Sequence, residues 1–147
     1  ERKLAAGVAA LRCRFGEAEC SPVYRSEAVG FDGDDFLNAC CRIKSDLGPE
    51  ALKAWLTELE NEHGRRRDQP RFSDRTLDID ILLFGDRVGT FGDLELPRGE
   101  TLKYAHVLKP LADLAGDRRH PETRKTFAEH WAEFDGDRSL VRTDLVL

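Results

Sequence analysis

The stretch RTLDIDILLFG, residues 75–85, predicts a strand in the interior of the protein. Within it, residues 77–84 are apolar except for two acids, and a Gly-Asp pair follows them. One face of the predicted strand carries the apolar side chains Leu77, Ile79, Ile81 and Leu83. Because successive side chains of a strand point to opposite faces, Asp78 and Asp80 lie together on the other face. The stretch therefore predicts a strand with one buried face and one acidic face.

Four elements are predicted before this strand. Apolar spacings of three and four predict helices over residues 2–15 and 49–63, and a glycine follows each of them. Between the helices, β-branched and aromatic residues predict strands over 20–29 and 36–47 that pair with each other. The order helix, strand, strand, helix, strand is typical of an α+β fold, with helices packed on an antiparallel sheet.

After residue 85 the sequence predicts a loop ending at Pro97 and a short helix near residues 108–114. A second helix is predicted over 126–134, where Thr126 and Glu129 have the spacing of a capping box. The 147 residues are predicted to form a single domain, 1–147, which can bury a core without disulfides or a structural metal.

The composition excludes several classes of protein. The apolar runs fall far short of the ~20 residues of a membrane helix, and no secretory signal opens the chain, so a cytoplasmic protein is predicted. The net charge of −5 argues against general nucleic-acid binding. Zinc ligands usually have paired short spacings, which the four cysteines lack, and free, mostly buried thiols are predicted. Those cysteines are Cys13, Cys20, Cys40 and Cys41.

Two adjacent charged features indicate phosphate chemistry. At ~5 Å and an effective dielectric near 20, Asp78 and Asp80 would repel each other by roughly 3 kcal/mol, a repulsion that a divalent cation would remove. The loop 65–75 just before them holds five arginines, whose planar guanidinium groups suit phosphate oxygens. The alternatives are a solvent-facing acidic strand and a solvated charged loop. The acidic pair and the arginine loop occur within sixteen residues of each other, and this combination favours a polyphosphate site that holds a divalent metal.

The same residues resemble a known family. The sequences ENEHGRRR at 60–67 and RTLDIDILLFG at 75–85 resemble the signature of the 6-hydroxymethyl-7,8-dihydropterin pyrophosphokinase family of folate biosynthesis. Four shorter segments resemble other parts of that family: 21–26, 36–39, 94–97 and 107–111. Together the resemblance covers most of residues 1–121. The fold that this resemblance implies is ferredoxin-like.

The resemblance also implies a role for individual residues. Asp78 and Asp80 would hold two Mg²⁺ ions that bridge the phosphates of ATP. Glu60 would face the nucleotide from the second helix. The loop that closes over the nucleotide would contribute three catalytic arginines, Arg65, Arg67 and Arg75. Arg67 and Arg75 would also contact ATP. The implied pterin pocket consists of Ser26, Val29, Phe36, Asn38 and Phe72.

This sequence departs from the family at several positions. The family has a strand with a Gly-Ser-Asn turn before the helix with which this chain begins. It also has a histidine where Arg98 stands, and an arginine and a phenylalanine where Tyr104 and His106 stand. We predict that Arg98 and Lys103 replace the missing phosphate contacts and that the imidazole of His106 stacks on the pterin. The alternative is that these side chains point into solvent.

The sequence therefore predicts a Mg²⁺-dependent diphosphotransferase that moves pyrophosphate from ATP to a hydroxymethyl-dihydropterin. Its partners would be ATP and this alcohol, with no nucleic acid and no membrane, and the oligomeric state is left open with a monomer favoured. The alternative is a relative that binds pterin or nucleotide but has lost turnover through the changes at Arg98, Tyr104 and His106.

Overall fold

The computed structural model describes residues 2–26, 36–63 and 77–147, and in these ranges it contains helices and short antiparallel strands. The helices are α1 (Arg2–Phe15), α2 (Pro49–Glu62), α3 (Ala105–Ala115), α4 (Phe127–Glu133) and a 3₁₀ turn (Gly99–Leu102). The strands are β1 (Ala18–Cys20), β2 (Tyr24–Ser26), β3 (Phe36–Asn38), β4 (Cys41–Ile43), β5 (Gly89–Phe91), β6 (Leu94–Leu96) and β7 (Val141–Arg142). The predicted α+β, ferredoxin-like fold is confirmed.

The two predicted strands of the first hairpin pair as expected, but each is split in two. β1 pairs with β4 and β2 pairs with β3, both antiparallel. The split falls at Pro22, which has no N–H to donate to a ladder. At this break the backbone N–H of Ser21 donates to the carbonyl of Cys40 at 2.8 Å, and the Cys40 N–H donates to the Ser21 hydroxyl at 2.8 Å. Residues 27–29 of the predicted strand lie outside the described residues.

The predicted helices are all present. α1 has the expected bounds and is followed by Gly16, whose φ of 93° is in the left-handed region that favours glycine. α2 buries Leu52, Leu56 and Leu59 on one face. The capping box of α4 forms as predicted. α3 is longer than predicted, because its first turn is already closed by hydrogen bonds to the carbonyl of Tyr104.

The prediction of a strand over residues 77–84 is wrong in its hydrogen bonding, although the side chains of residues 77–81 alternate as expected. Leu77 and Ile81 are buried, while Asp78 and Asp80 are exposed. Within the described ranges the segment has no strand pairing. Among the described residues, its carbonyls accept bonds from the N–H of Arg98 to Leu82 at 2.9 Å and from the N–H of Arg87 to Phe84 at 3.1 Å. The segment instead borders a cavity of about 480 Å³, which β4 also lines.

The predicted loop before Pro97 is a hairpin rather than a loop. β5 and β6 pair antiparallel, with Thr90 opposite Glu95. Gly92 supplies the positive φ of 65° that the tight turn requires. The Gly92-Asp93 pair between apolar residues was the available sequence signal for this hairpin. β7, which pairs with β2, was also not predicted.

The core consists of two apolar clusters that meet at the segment 77–84. Ile81 packs with α1, α2 and β6 in one cluster, and Leu82 and Leu83 pack against α3 and α4 in the other. The segment is therefore anchored from both sides although it has no strand partner. In the ranges described above, no helix is both long and apolar enough to cross a membrane.

Candidate functional site

Asp78 and Asp80 lie on the exposed face of the segment 77–84, as the alternation predicted. Both residues line the 480 Å³ cavity, and so do Asn38 and His106. Its volume is in the range of about 300–1,000 Å³ that is usual for small-molecule sites. The structure therefore brings the predicted metal ligands and two predicted substrate contacts to one cavity.

Glu60 fixes the backbone between the two acids. Its carboxylate accepts a hydrogen bond of 2.7 Å from the N–H of Ile79, and the residue is only 3% exposed. A hydrogen bond between a backbone N–H and a carboxylate is stronger than one between neutral groups. Here it also gives a partner to a carboxylate that is hidden from water. The structure thus turns this carboxylate toward the segment 77–84, a role that no sequence spacing indicated.

Arg98 places a positive charge beside the acidic pair. Its guanidinium lies 3.8 Å from a carboxylate oxygen of Asp80 and 3.3 Å from one of Glu100. Its backbone N–H bonds to Leu82, so the residue is tied to the acidic segment twice. Arg98 is about two-thirds buried, with 32% of its side chain exposed, so its guanidinium is held beside the acidic pair.

The β2–β3 hairpin carries three of the predicted pterin contacts, Ser26, Phe36 and Asn38. The amide of Asn38 donates to the hydroxyl of Ser26 at 3.2 Å, and Phe36 stands opposite Ser26 in the strand register. Phe36 is 40% exposed, an unusual position for a large aromatic side chain. The amide oxygen of Asn38 and the exposed ring of Phe36 together suit the edge and face of a flat heterocycle.

His106 lies at the start of α3 and stacks on Tyr104, with 5.4 Å between the ring centroids and an angle of 23° between the planes. Burial lowers the pKa of His106, and the nearby charge of Glu100 opposes this only in part. The imidazole is therefore neutral at pH 7. In this form it can take part in stacking without carrying a charge.

The lowered pKa of His106 predicts a pH-dependent stability. The unfolded chain binds a proton at this residue near pH 6.5, whereas the folded chain binds it only at lower pH. The free energy of unfolding should therefore fall as the pH drops below about 6.5 and be flat above it. Burial also lowers the pKa of His120, so the wild type combines both contributions. Urea unfolding of His106→Phe between pH 5 and about 8 should show a shallower acid slope; an unchanged slope would contradict this assignment.

The structure does not bring Lys103 to the acidic pair. It lines a separate cavity of about 400 Å³ with His130 and Glu133. Lys103 directly follows the 3₁₀ turn, and its backbone N–H donates to the carbonyl of Glu100 at 3.1 Å. Five other predicted site residues lie outside the described residues: Val29, Arg65, Arg67, Phe72 and Arg75.

A second polar contact, between β2 and α3, was not predicted. The hydroxyl of Tyr24 donates to the carboxylate of Asp113, which also pairs with Lys109 at 2.7 Å. Burial, and then the bond to Asp113, raise the pKa of Tyr24 to about 12. This contact ties the hairpin that holds Asn38 to α3, the helix that carries His106 in its first turn. No local pattern could have indicated it, because the two partners are 89 positions apart.

Residues 1–116 match the family described as 7,8-dihydro-6-hydroxymethylpterin-pyrophosphokinase. The chain belongs to this pyrophosphokinase family. The resemblance seen in the sequence is therefore confirmed. The match includes the hairpin, α2, the acidic segment, Arg98 and the start of α3.

Similar proteins carry consistent names. The chain is 42% identical over 105 residues to the 2-amino-4-hydroxy-6-hydroxymethyldihydropteridine pyrophosphokinase of Pseudomonas aeruginosa, covering 71% of this chain and 64% of that protein. It is 34% identical over 110 residues to the protein of the same name from Synechocystis sp., covering 75% of this chain and 56% of that protein. It is 35% identical over 117 residues to the protein of that name from Haemophilus influenzae, covering 75% of this chain and 72% of that protein. The chain thus spans less than two thirds of the first two pyrophosphokinases.

Proposed function

We propose that this chain forms the site of a diphosphotransferase that moves the pyrophosphoryl group of ATP to the hydroxymethyl group of 6-hydroxymethyl-7,8-dihydropterin, in folate biosynthesis. The observation that carries the proposal is the exposed Asp78–Asp80 pair on the wall of the cavity that Asn38 and His106 also line. Membership of the pyrophosphokinase family and the names of its similar proteins support the same reaction.

The acidic pair fits Mg²⁺ that is shared with a polyphosphate. No cluster of three or more His, Cys, Asp or Glu side chains suited to a metal occurs among the described residues. Mg²⁺ usually takes one or two protein carboxylates and completes its shell with water and substrate phosphates, so Asp78 and Asp80 suffice in the presence of ATP. Two ions held there would neutralise charge on the phosphate oxygens.

The remaining residues would bind and orient the two substrates. Glu60 holds the backbone of Ile79, so both acids are presented at fixed positions before substrate arrives. The substrate hydroxyl would attack the β-phosphorus in line, with AMP as the leaving group and no covalent enzyme intermediate. Arg65, Arg67 and Arg75 remain our candidates for stabilising the transferred charge, and Phe72 and Val29 for closing the pterin pocket. A nucleotide contact of Glu60 also stays a prediction.

Asn38 is proposed to recognise the edge of the pterin. Its amide can offer a donor and an acceptor, and the hydroxyl of Ser26 already orients it. Asn38→Ala should weaken pterin binding by roughly 1–3 kcal/mol, because polar groups in the complex lose their partner, while ATP binding is retained. Calorimetry with each substrate measures both affinities. Ser26→Ala is the matched control and should give a smaller loss; full pterin affinity in Asn38→Ala would refute the assignment.

Arg98 is proposed to contact a phosphate of ATP, whereas the same role for Lys103, which lines the separate cavity of about 400 Å³, stays a prediction. Replacing either residue by Ala removes one positive charge, so the two variants form a matched pair. Because Arg98 lies beside Asp80, Arg98→Ala should have a larger effect than Lys103→Ala. We expect Arg98→Ala to lower the ATP affinity about ten-fold and to weaken its salt dependence. Titration of ATP at several salt concentrations separates the outcomes. A wild-type affinity and salt dependence in the double variant would mean that neither side chain touches phosphate.

One observation favours a second candidate function, binding without turnover. The guanidinium of Arg98 is 3.8 Å from Asp80, where it competes with a cation for this carboxylate. AMP production from ATP and the dihydropterin, followed by chromatography, decides between the two. AMP formation that requires both substrates and Mg²⁺ supports the transferase, whereas tight binding of both without AMP supports the binding protein.

A further inference from the structure

Four free cysteines are present, and two of them face each other across a strand pair. Cys20 ends β1, Cys41 begins β4, and the antiparallel register places them directly opposite. Their sulfur atoms are 2.9 Å apart. Directly opposed residues in antiparallel strands have Cα atoms about 4.5–5.5 Å apart, inside the 4.4–6.8 Å span of disulfides. The backbone therefore already has a geometry in which the two sulfurs can be joined.

We propose that Cys20 and Cys41 are a peroxide-sensitive thiol pair that closes reversibly into a disulfide between β1 and β4. The proposal does not rest on the proposed function: Cys41 lines the cavity of about 480 Å³, but neither cysteine has been assigned a contact with substrate or metal. The sequence-based prediction of free, mostly buried thiols is wrong in its burial, since Cys20 and Cys41 are partly exposed and Cys13 is exposed.

The surroundings of the two sulfurs differ and suggest a role for each. The guanidinium of Arg12 lies 4.0 Å from the Cys20 sulfur, and a cation at this position favours attack by the anionic form of a thiol. Burial, followed by the contact with Cys20, raises the pKa of Cys41, so this thiol keeps its proton. Cys20 is accordingly the attacking sulfur and Cys41 the one that closes the bond.

The reaction balances with hydrogen peroxide as the oxidant. The Cys20 thiolate attacks one peroxide oxygen, the O–O bond breaks, and the hydroxide released takes up a proton to become water. Cys20 is then a sulfenic acid. The Cys41 sulfur attacks the sulfenic sulfur, the S–O bond breaks, and the proton of Cys41 leaves with the hydroxyl as a second water. Peroxide is reduced by two electrons, and a dithiol reductant restores both thiols.

The neighbouring Cys40 is excluded by the strand geometry. Successive residues of an extended chain point to opposite faces, and the backbone N–H of Cys40 is bonded to the Ser21 hydroxyl at the break between the strands.

Peptide mapping of the whole chain tests the proposal. After stoichiometric peroxide, alkylation and tryptic digestion without reductant, peptide 15–25 should be joined to peptide 26–42, and dithiothreitol should separate them. The peptide 26–42 contains both Cys40 and Cys41, so single variants identify the partner. Cys40→Ser should retain the link, Cys41→Ser should lose it, and Cys13→Ser should behave as the wild type. Circular dichroism verifies that each variant is folded.

Three results would overturn the proposal. The first is the absence of the 15–25 to 26–42 link in the wild type. The second is a link that persists in Cys41→Ser or vanishes in folded Cys40→Ser, since either assigns the bond to Cys40. The third is a wild-type product made only of dimers joined through Cys13, the exposed thiol on α1.

Discussion

Asp78→Asn and Asp80→Asn are each expected to reduce turnover by about a thousand-fold, the loss of several kcal/mol of stabilisation from metal-held charge. Each substitution removes one carboxylate from the exposed face of the segment 77–84 and leaves the apolar anchors of that segment in place. AMP formation at saturating ATP and Mg²⁺ measures the loss. Near-wild-type turnover in either variant would eliminate that carboxylate as a metal ligand.

The same variants should fold normally, and this separates a chemical role from a structural one. Both side chains are exposed, and among the described residues the ion pair of Asp80 is the 3.8 Å contact with Arg98. Partly exposed pairs of this kind contribute about 0–1 kcal/mol. The matched control is Asp93→Asn, an exposed acid in the β5–β6 turn, which should leave turnover unchanged. A fall in urea midpoint as large as a core mutation gives would show that the acids act on folding.

Glu60→Ala should weaken both the fold and the reaction. The substitution would remove the carboxylate that accepts a hydrogen bond from the N–H of Ile79. Because Glu60 is only 3% exposed, water cannot easily replace that carboxylate, and the free energy of unfolding should fall by roughly 1.5–3 kcal/mol. The backbone between Asp78 and Asp80 would then be less fixed, and we expect turnover to fall by about a hundred-fold. Urea unfolding and the AMP assay measure the two effects.

Glu60→Gln is the matched control for this prediction. Glutamine keeps an acceptor oxygen of the same reach without the charge, so it should retain most of the stability and a larger share of the turnover than Ala. Glu62→Ala, at the end of the same helix and exposed, should affect neither. Equal turnover of Glu60→Ala and the wild type would mean that this hydrogen bond does not position the acids.

Local signals in the sequence were enough for the helices. The bounds of α1 and α2 follow from apolar spacing and from the glycine or proline at their ends, and the capping box of α4 lies within four residues. Each of these signals operates between neighbours along the chain. The alternation that places Asp78 and Asp80 on one face is local too, and it survives although the segment pairs with no strand in the part of the chain that the structure describes.

Pairings between distant parts of the chain were not accessible in this way. The strand predicted over 77–84 has the right side-chain pattern, but a strand is defined by its neighbours, and here one edge borders a cavity. The β5–β6 hairpin was missed because its strands are three residues each, too short for alternation to be distinctive. Such elements form only because α2 and the segment 77–84 provide a surface for them.

The sequence by itself determined the family, through the signature at 60–67 and 75–85, and with it the candidate metal ligands, because those depend on residue type and spacing alone. Only the tertiary structure decided that Glu60 bonds to the backbone of Ile79 and that Arg98 approaches Asp80. It also decided the register that brings Cys20 to Cys41. The physical reason is that hydrogen bonds and ion pairs act over a few ångströms, so their partners are fixed by how the hairpin, helices and segment pack and not by their separation along the chain.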